Sequence, residues 1–161
     1  MTIETLDDLF LHTLKDVLYA ERKILRALPK MERKATDPKL KAALSSHREE
    51  TETHIIRLED VFDGLGKAAR GAKCDAMVGL IEEAEGLMSE IEDPGTMDAA
   101  IISLAQAVEH YEIARYGTLV AWAKQLGHPQ AAKLLKETLS EEYVADKALT
   151  QLAEDRLNAA A

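Results

Sequence analysis

Four long stretches of this chain repeat apolar residues every three or four positions, and no other feature of the sequence constrains the fold as tightly. Leu6, Leu9, Phe10, Leu14, Val17, Ile24, Leu28 and Met31 fall on one face of a helix, because successive residues turn by about 100°. The second stretch carries Leu40, Leu44, Ile55, Leu58 and Phe62; the third carries Ile101, Leu104, Ala105, Val108, Tyr116, Leu119 and Trp122. Leu135, Leu139, Leu149, Ala153 and Leu157 mark the fourth. Each reads as an amphipathic helix whose apolar stripe must be buried against the others. β-branched and aromatic residues are too few to build a sheet.

Local signals set the boundaries. Thr36-Asp37-Pro38 supplies a cap followed by proline at the first helical position, which starts the second helix; Gly64 and Gly66 end it. The polar, basic segment from Lys67 to Lys73 reads as a solvated linker. A shorter pattern, Met77, Leu80, Ile81, Ala84, Leu87 and Met88, predicts a short helix that stops before Asp93-Pro94-Gly95, a turn signal. The third long helix begins near Thr96 and ends at Gly127, and the fourth starts at Pro129. Short connections after the first and third long helices make antiparallel neighbours, while the segment of roughly 30 residues between the second and third can cross over. The expectation is one all-α domain over residues 1–161: a ferritin-like antiparallel four-helix bundle with a long crossover containing a short fifth helix.

The apolar stripes are interrupted by ionisable residues near the middle of each long helix. Glu21 lies between Val17 and Ile24; His47 and His54 fall within the second stripe with Glu50 on its edge; Glu112 is central to the third stripe with Glu109 on its margin; Glu142 and Asp146 share the face of Leu135 and Leu149. Their heights agree. Glu21 lies 16 residues before Asp37, and Glu112 lies 16 before His128. Glu50 and His54 follow the first turn by 13 and 17 residues, and Glu142 and Asp146 follow the second by 14 and 18. One ionised carboxylate buried without a partner costs several kcal/mol, and crowding like charges adds to that. A belt of acids therefore calls for cations, and oxygen ligands with one or two imidazoles suit iron or manganese. The candidate ligands to two divalent ions, Fe or Mn, are Glu21, Glu50, His54, Glu109, Glu112, Glu142 and Asp146. Arg115, near the third stripe, could offset only one charge.

The strings HREETETHIIRLEDVF, KCDAMVGLIEEA, VEHYEIARYGTL and AAKLLKETLSEE resemble the YciE/YciF family of ferritin-like bacterial proteins over nearly the whole chain. The resemblance implies a five-helix ferritin-like fold, a homodimer and an association with stress responses. Against the wider di-iron pattern, one Glu from each of two helices and Glu-x-x-His from the others, Glu21 and Glu112 match the single ligands. The pairs depart from it: they are spaced by four, and Asp146 stands where a histidine would be.

Composition narrows the rest. The net charge of −9 disfavours phosphate backbones, so nucleic acid is not an expected partner. The single cysteine, Cys74, cannot form an internal disulfide and reads as a buried structural thiol. With no basic and apolar leader in the sequence, a reducing cytoplasm is expected, and no apolar run approaches the roughly 18 residues of a membrane span. His47 reads as a donor orienting a carboxylate rather than as a ligand, and His110 as a surface or dimer contact. Tyr111, Tyr116 and Trp122 read as core. The function expected is a di-metal carboxylate protein that oxidises Fe(II) or consumes peroxide or oxygen under stress. No Cys-x-x-Cys pair is present, so the electron donor is expected to be a separate protein. The alternative is a non-catalytic dimeric stress-response bundle with a structural ion or none.

Overall fold

Helix starts are set by short side chains placed where orphan backbone N–H groups need an acceptor. The computed structural model describes residues 2–161 as α1 (Leu6–Lys34), α2 (Pro38–Gly64), α3 (Asp75–Glu90), α4 (Pro94–Gln125) and α5 (Pro129–Leu152). A π-helical turn, Ala153–Leu157, and a last helical turn, α6 (Asn158–Ala160), follow, and no strand occurs among the described residues. Thr5 and Asp8 close a reciprocal capping box on α1. Asp37 accepts from the backbone N–H groups of Lys39 and Leu40 at 2.9 and 3.0 Å, with Pro38 inside the first turn of α2. Asp93 caps α4 in the same way, accepting from Thr96 N–H at 2.8 Å with Pro94 in the first turn. The Asp93-Pro94-Gly95 segment is thus a helix start rather than a separate turn, by the same Asp-Pro signal that opens α2.

Gly66 and Gly127 adopt positive φ, 65° and 75°, and let the chain leave α2 and α4. In both, a backbone N–H one residue beyond the glycine closes back onto the helix: Lys67 to the Phe62 carbonyl, and His128 to the Ala123 carbonyl. The turn at Gly66 leads the chain out of α2 toward α3, and the turn at Gly127 sends α5 back along α4.

The four long helices close a ring of contacts, α1 on α2, α2 on α5, α5 on α4 and α4 on α1, while α3 lies against α1 and α4. One pole is stapled by Asp98, which is buried and accepts from Thr36 N–H, the Thr36 hydroxyl and Asp37 N–H at 2.7, 2.6 and 2.9 Å. Arg156, carried on the π-helical turn, pairs with Asp37 at the same pole. The α1–α2 connection, the start of α4 and the end of α5 therefore meet, which fixes the relative height of all four helices.

The apolar interior is not continuous. One core, including Leu28, Met31, Leu40, Ile101 and Leu149, fills the stapled half. A second core, including Phe10, Leu14, Phe62, Leu119 and Leu135, fills the other. Between them lies a layer of buried polar residues: Glu21, His47, Thr51, His54, Glu109, Glu112 and Glu142. Among the described residues no helix is long and apolar enough to cross a membrane.

Candidate metal centre

Each residue of the polar layer faces inward because it occupies an apolar-stripe position of its helix. Seven residues separate His47 from His54, two helical turns, so both imidazoles lie on the buried stripe of Leu40, Leu44 and Leu58. Glu109 and Glu112 are three apart on α4, one turn above the other, and Glu142 shares the buried face of Leu135 and Leu149 on α5. Glu21 projects from α1 beside Ala20 and Ile24.

The side chains converge. His54 Nδ1 lies 3.0 Å from Glu142 Oε1 and 3.5 Å from Glu21 Oε1, and His47 Nε2 lies 3.2 Å from Glu109 Oε1. Two groups of potential ligand atoms result, each with its atoms within 4.8 Å of one another: His47, Glu109, Glu112 and Glu142, and Glu21, His54 and Glu142. Glu142 belongs to both. All six residues are buried, with Glu142 and His54 fully enclosed.

Partners are missing where burial demands them. Among the described residues, the buried side-chain N and O atoms without a hydrogen-bond partner all belong to this layer: both ring nitrogens of His47, Nδ1 of His54, Oε2 of Glu109, and both carboxylate oxygens of Glu112 and of Glu142. Most buried polar groups in folded proteins are paired, and each orphan costs about 1–3 kcal/mol. A cluster of orphaned donor atoms aimed at a common volume is what a coordination sphere presents.

Electrostatics agree with an uncompensated site. Burial and the nearby Glu142 push the Glu109 carboxyl up to about 11. Burial, then the charges of Glu142 and Glu21, hold Glu112 well above the usual carboxylate range. For His54 burial opposes the imidazolium, but the adjacent Glu142 and Glu21 outweigh it and push the ring up to about 10. Burial likewise acts against the Glu142 carboxylate, yet His54 draws it below its ordinary value. Without metal the layer is thus neutralised by protons and by one imidazolium, the positions divalent cations would take over.

Outer contacts hold the inner ones. Glu141 accepts from the Nε2 side of His54 at 2.9 Å and is gripped by Arg57 through both guanidinium arms, at 2.5 and 2.8 Å. That bidentate pair, with Arg57 foremost, holds the Glu141 carboxyl below its ordinary range. With Nε2 directed at Glu141, Nδ1 is the ring atom that faces Glu21 and Glu142, and it would become a ligand once its proton is displaced. The Tyr116 hydroxyl, fully buried, donates to Glu21 Oε1.

Five of the seven residues expected from sequence, Glu21, His54, Glu109, Glu112 and Glu142, are brought together; Glu50 and Asp146 are not. Glu50 lies on the margin of its stripe, its side chain is 41 % exposed, and it reaches only to 3.8 Å from His47 Nδ1. Asp146 is drawn outward by Gln106 Nε2 at 3.1 Å and His110 Nε2 at 3.2 Å. His47, expected to orient a carboxylate from outside, is instead one of the converging groups. Arg115 lies over the Tyr111 ring, 5.3 Å from its centre, rather than in the layer. Sequence reasoning missed Arg57, Glu141 and the Tyr116 hydroxyl. Arg57 follows His54 by three residues and Tyr116 follows Glu112 by four, spacings that put each one turn from a belt residue. Cys74 is buried, caps α3 and contacts the Tyr111 hydroxyl at 3.0 Å.

Comparison with known proteins gives this arrangement relatives. The profile described as "Domain of unknown function (DUF892)" matches residues 5–161. Protein YciF of Escherichia coli strain K12 is 46% identical over 159 residues, 98% of this chain and 96% of that protein. The crystal structure of the E. coli stress protein YciF superposes with a TM-score of 0.92 over 97% of this chain and 99% of that one. YcfI from Rhodopseudomonas palustris, described as a structural protein, is 51% identical with a TM-score of 0.91, over 92% of this chain and 94% of its own. The chain therefore belongs to the DUF892 family and is similar over nearly its whole length to the stress protein YciF.

Proposed function

We propose that this protein is a ferritin-like four-helix-bundle, di-metal carboxylate protein that binds two Fe or Mn ions and oxidises Fe(II), with oxygen or peroxide as electron acceptor, during stress. The observation that carries the reading is the set of orphaned, fully buried donor atoms on His47, His54, Glu109, Glu112 and Glu142. Carboxylates with two imidazoles suit iron or manganese, and no thiolate enters the set. Bound iron would supply the electrons, while the chain would supply geometry and access.

In this reading His47, Glu109 and Glu112 would hold one ion and Glu21 and His54 the other, with Glu142 belonging to both groups. Glu141 and Arg57 fix the His54 ring. Tyr116 donates to Glu21 Oε1 and so fixes that carboxylate. The apolar cores on either side exclude water, so the charge of the ions is felt strongly by these ligands. A homodimer, a cytoplasmic setting and a separate electron-donor protein belong to the same proposal.

The test is metal analysis with anaerobic Fe(II) titration followed by admission of oxygen. The reading expects two ions per chain and oxidation faster than in buffer; less than one ion per chain, with no acceleration, refutes it.

One observation favours a second reading, a non-catalytic stress-response bundle. Burial and crowded charge favour protons on Glu109, Glu112 and His54, which lessens the charge of the layer without ions. That reading expects a stable protein whose loaded form oxidises nothing.

A further inference from the structure

A cavity of about 40 Å³ lies inside the ring of helices, in the stapled half, immediately beside the polar layer. Ile24 of α1, Leu44 of α2, Val108 of α4 and Leu149 of α5 form its walls, and Ile81 of α3 reaches it from the crossover. Its lining is polar only where His47 and Glu109 close it. We propose that this cavity is a binding pocket for a single small apolar gas molecule, of the dioxygen class, held against the His47–Glu109 side of the metal centre. The inference rests on the reading of that centre as oxygen-consuming, and it names where the gas resides.

Water is a poor occupant. A buried water needs two to four polar partners, and cavities walled by Leu, Ile and Val stay dry even when large enough to fill. A water at the polar end could pair with His47 and Glu109 alone, and the remaining walls, Ile24, Leu28, Leu44, Val108 and Leu149 among them, offer it no partner, so the apolar body of the cavity is left to an apolar occupant. The volume is also selective. It exceeds the roughly 10–15 Å³ that admits one water-sized body, and is far below the roughly 150 Å³ of an engineered cavity that takes benzene. A diatomic gas fits, whereas an organic substrate does not. A neutral apolar molecule also loses no solvation on entering, whereas an ion would pay heavily to cross the same walls.

The experiment uses xenon, a polarisable apolar probe. Metal-free protein is crystallised and pressurised with xenon, and the same protein in solution is followed by methyl NMR under xenon. A xenon peak between Leu44, Val108 and Leu149, with shifts confined to the methyls around it, is expected; no peak there, or peaks only elsewhere, overturns the pocket. Ala105→Leu, which projects a larger side chain into the cavity from α4, is expected to lose xenon binding, keep Fe(II) stoichiometry and raise the oxygen KM several-fold. Ala145→Leu repeats this from α5 should the first variant fold poorly. Variants that lose xenon with the oxygen KM unchanged overturn the delivery role. Xenon bound in a protein that oxidises no Fe(II) overturns the oxygen-consuming reading and leaves an apolar gas pocket standing.

Discussion

Replacing Glu112 with leucine is expected to make the metal-free protein more stable while destroying its metal centre. Glu112 is 1% exposed, and neither carboxylate oxygen has a hydrogen-bond partner. Burial and the charges of Glu142 and Glu21 hold it protonated, so the native state carries an orphaned polar group rather than a paired one. Removing such a group recovers about 1–3 kcal/mol. A leucine of similar volume adds apolar burial between the two cores, so a net gain of about 2 kcal/mol is a conservative figure. At about 2–4 °C per kcal/mol for a chain of this size, Tm in chelator should rise by about 4–8 °C. Calorimetry in chelator reads this directly, and the same scan after Fe(II) or Mn(II) loading should show the parent stabilised by metal and the variant unmoved. A Glu112→Leu protein that melts below its parent in chelator would refute the argument that the layer is held in place at the cost of stability.

Other substitutions separate the parts of the site. Glu141→Gln should lower metal affinity by about 10–100-fold, by loosening the His54 ring, while the metal-free fold is retained; unchanged affinity in a competition titration would remove Glu141 from the account. Glu50→Ala and Asp146→Ala should each leave the number of ions bound per chain intact, and a lost ion in either would return that residue to the ligand set. In chelator, native Glu109 keeps its proton up to about 11, while the unfolded chain releases it near 4.5. The unfolded state therefore binds fewer protons over that window, and stability should fall as pH rises, by up to about 1.4 kcal/mol per pH unit. His54 acts with the same sign, its contribution complete below 6.5 and lost as pH rises through about 10. Denaturant titrations of metal-free protein at mildly acidic and alkaline pH check this, and stability rising with pH would contradict it. Loading with Fe(II) near neutral pH should accordingly release protons, measurable as a dependence of binding heat on the buffer's ionisation enthalpy.

Much of the fold was legible because helical periodicity and capping chemistry are local. Apolar spacing located all four long helices and the short one, and Asp37-Pro38 marked the start of α2. Asp93-Pro94 carried the same signal and was read as a turn, since Asp-Pro-Gly fits both until the following residues are seen to continue a helix. The candidate site was legible where a residue sat at the centre of a stripe, as Glu21, Glu112, His54 and Glu142 do. It was obscured at the stripe margins, Glu50 and Glu109, and at Asp146, which shares the face of Glu142 but is decided by its neighbours. Gln106 and His110 turn Asp146 outward, and Glu109 meets His47 inside. The spacing of Arg57 from His54 places it one turn from the belt, but its pairing with Glu141 on another helix leaves no mark in either sequence pattern.

The central claim is that two ions share this layer, and anomalous diffraction from crystals grown with Fe(II) or Mn(II) tests it most directly. Two peaks at the metal edge are expected, one among His47, Glu109, Glu112 and Glu142 and one among Glu21, His54 and Glu142. A layer with no peak, its carboxyls hydrogen-bonded to one another or to water, would contradict it.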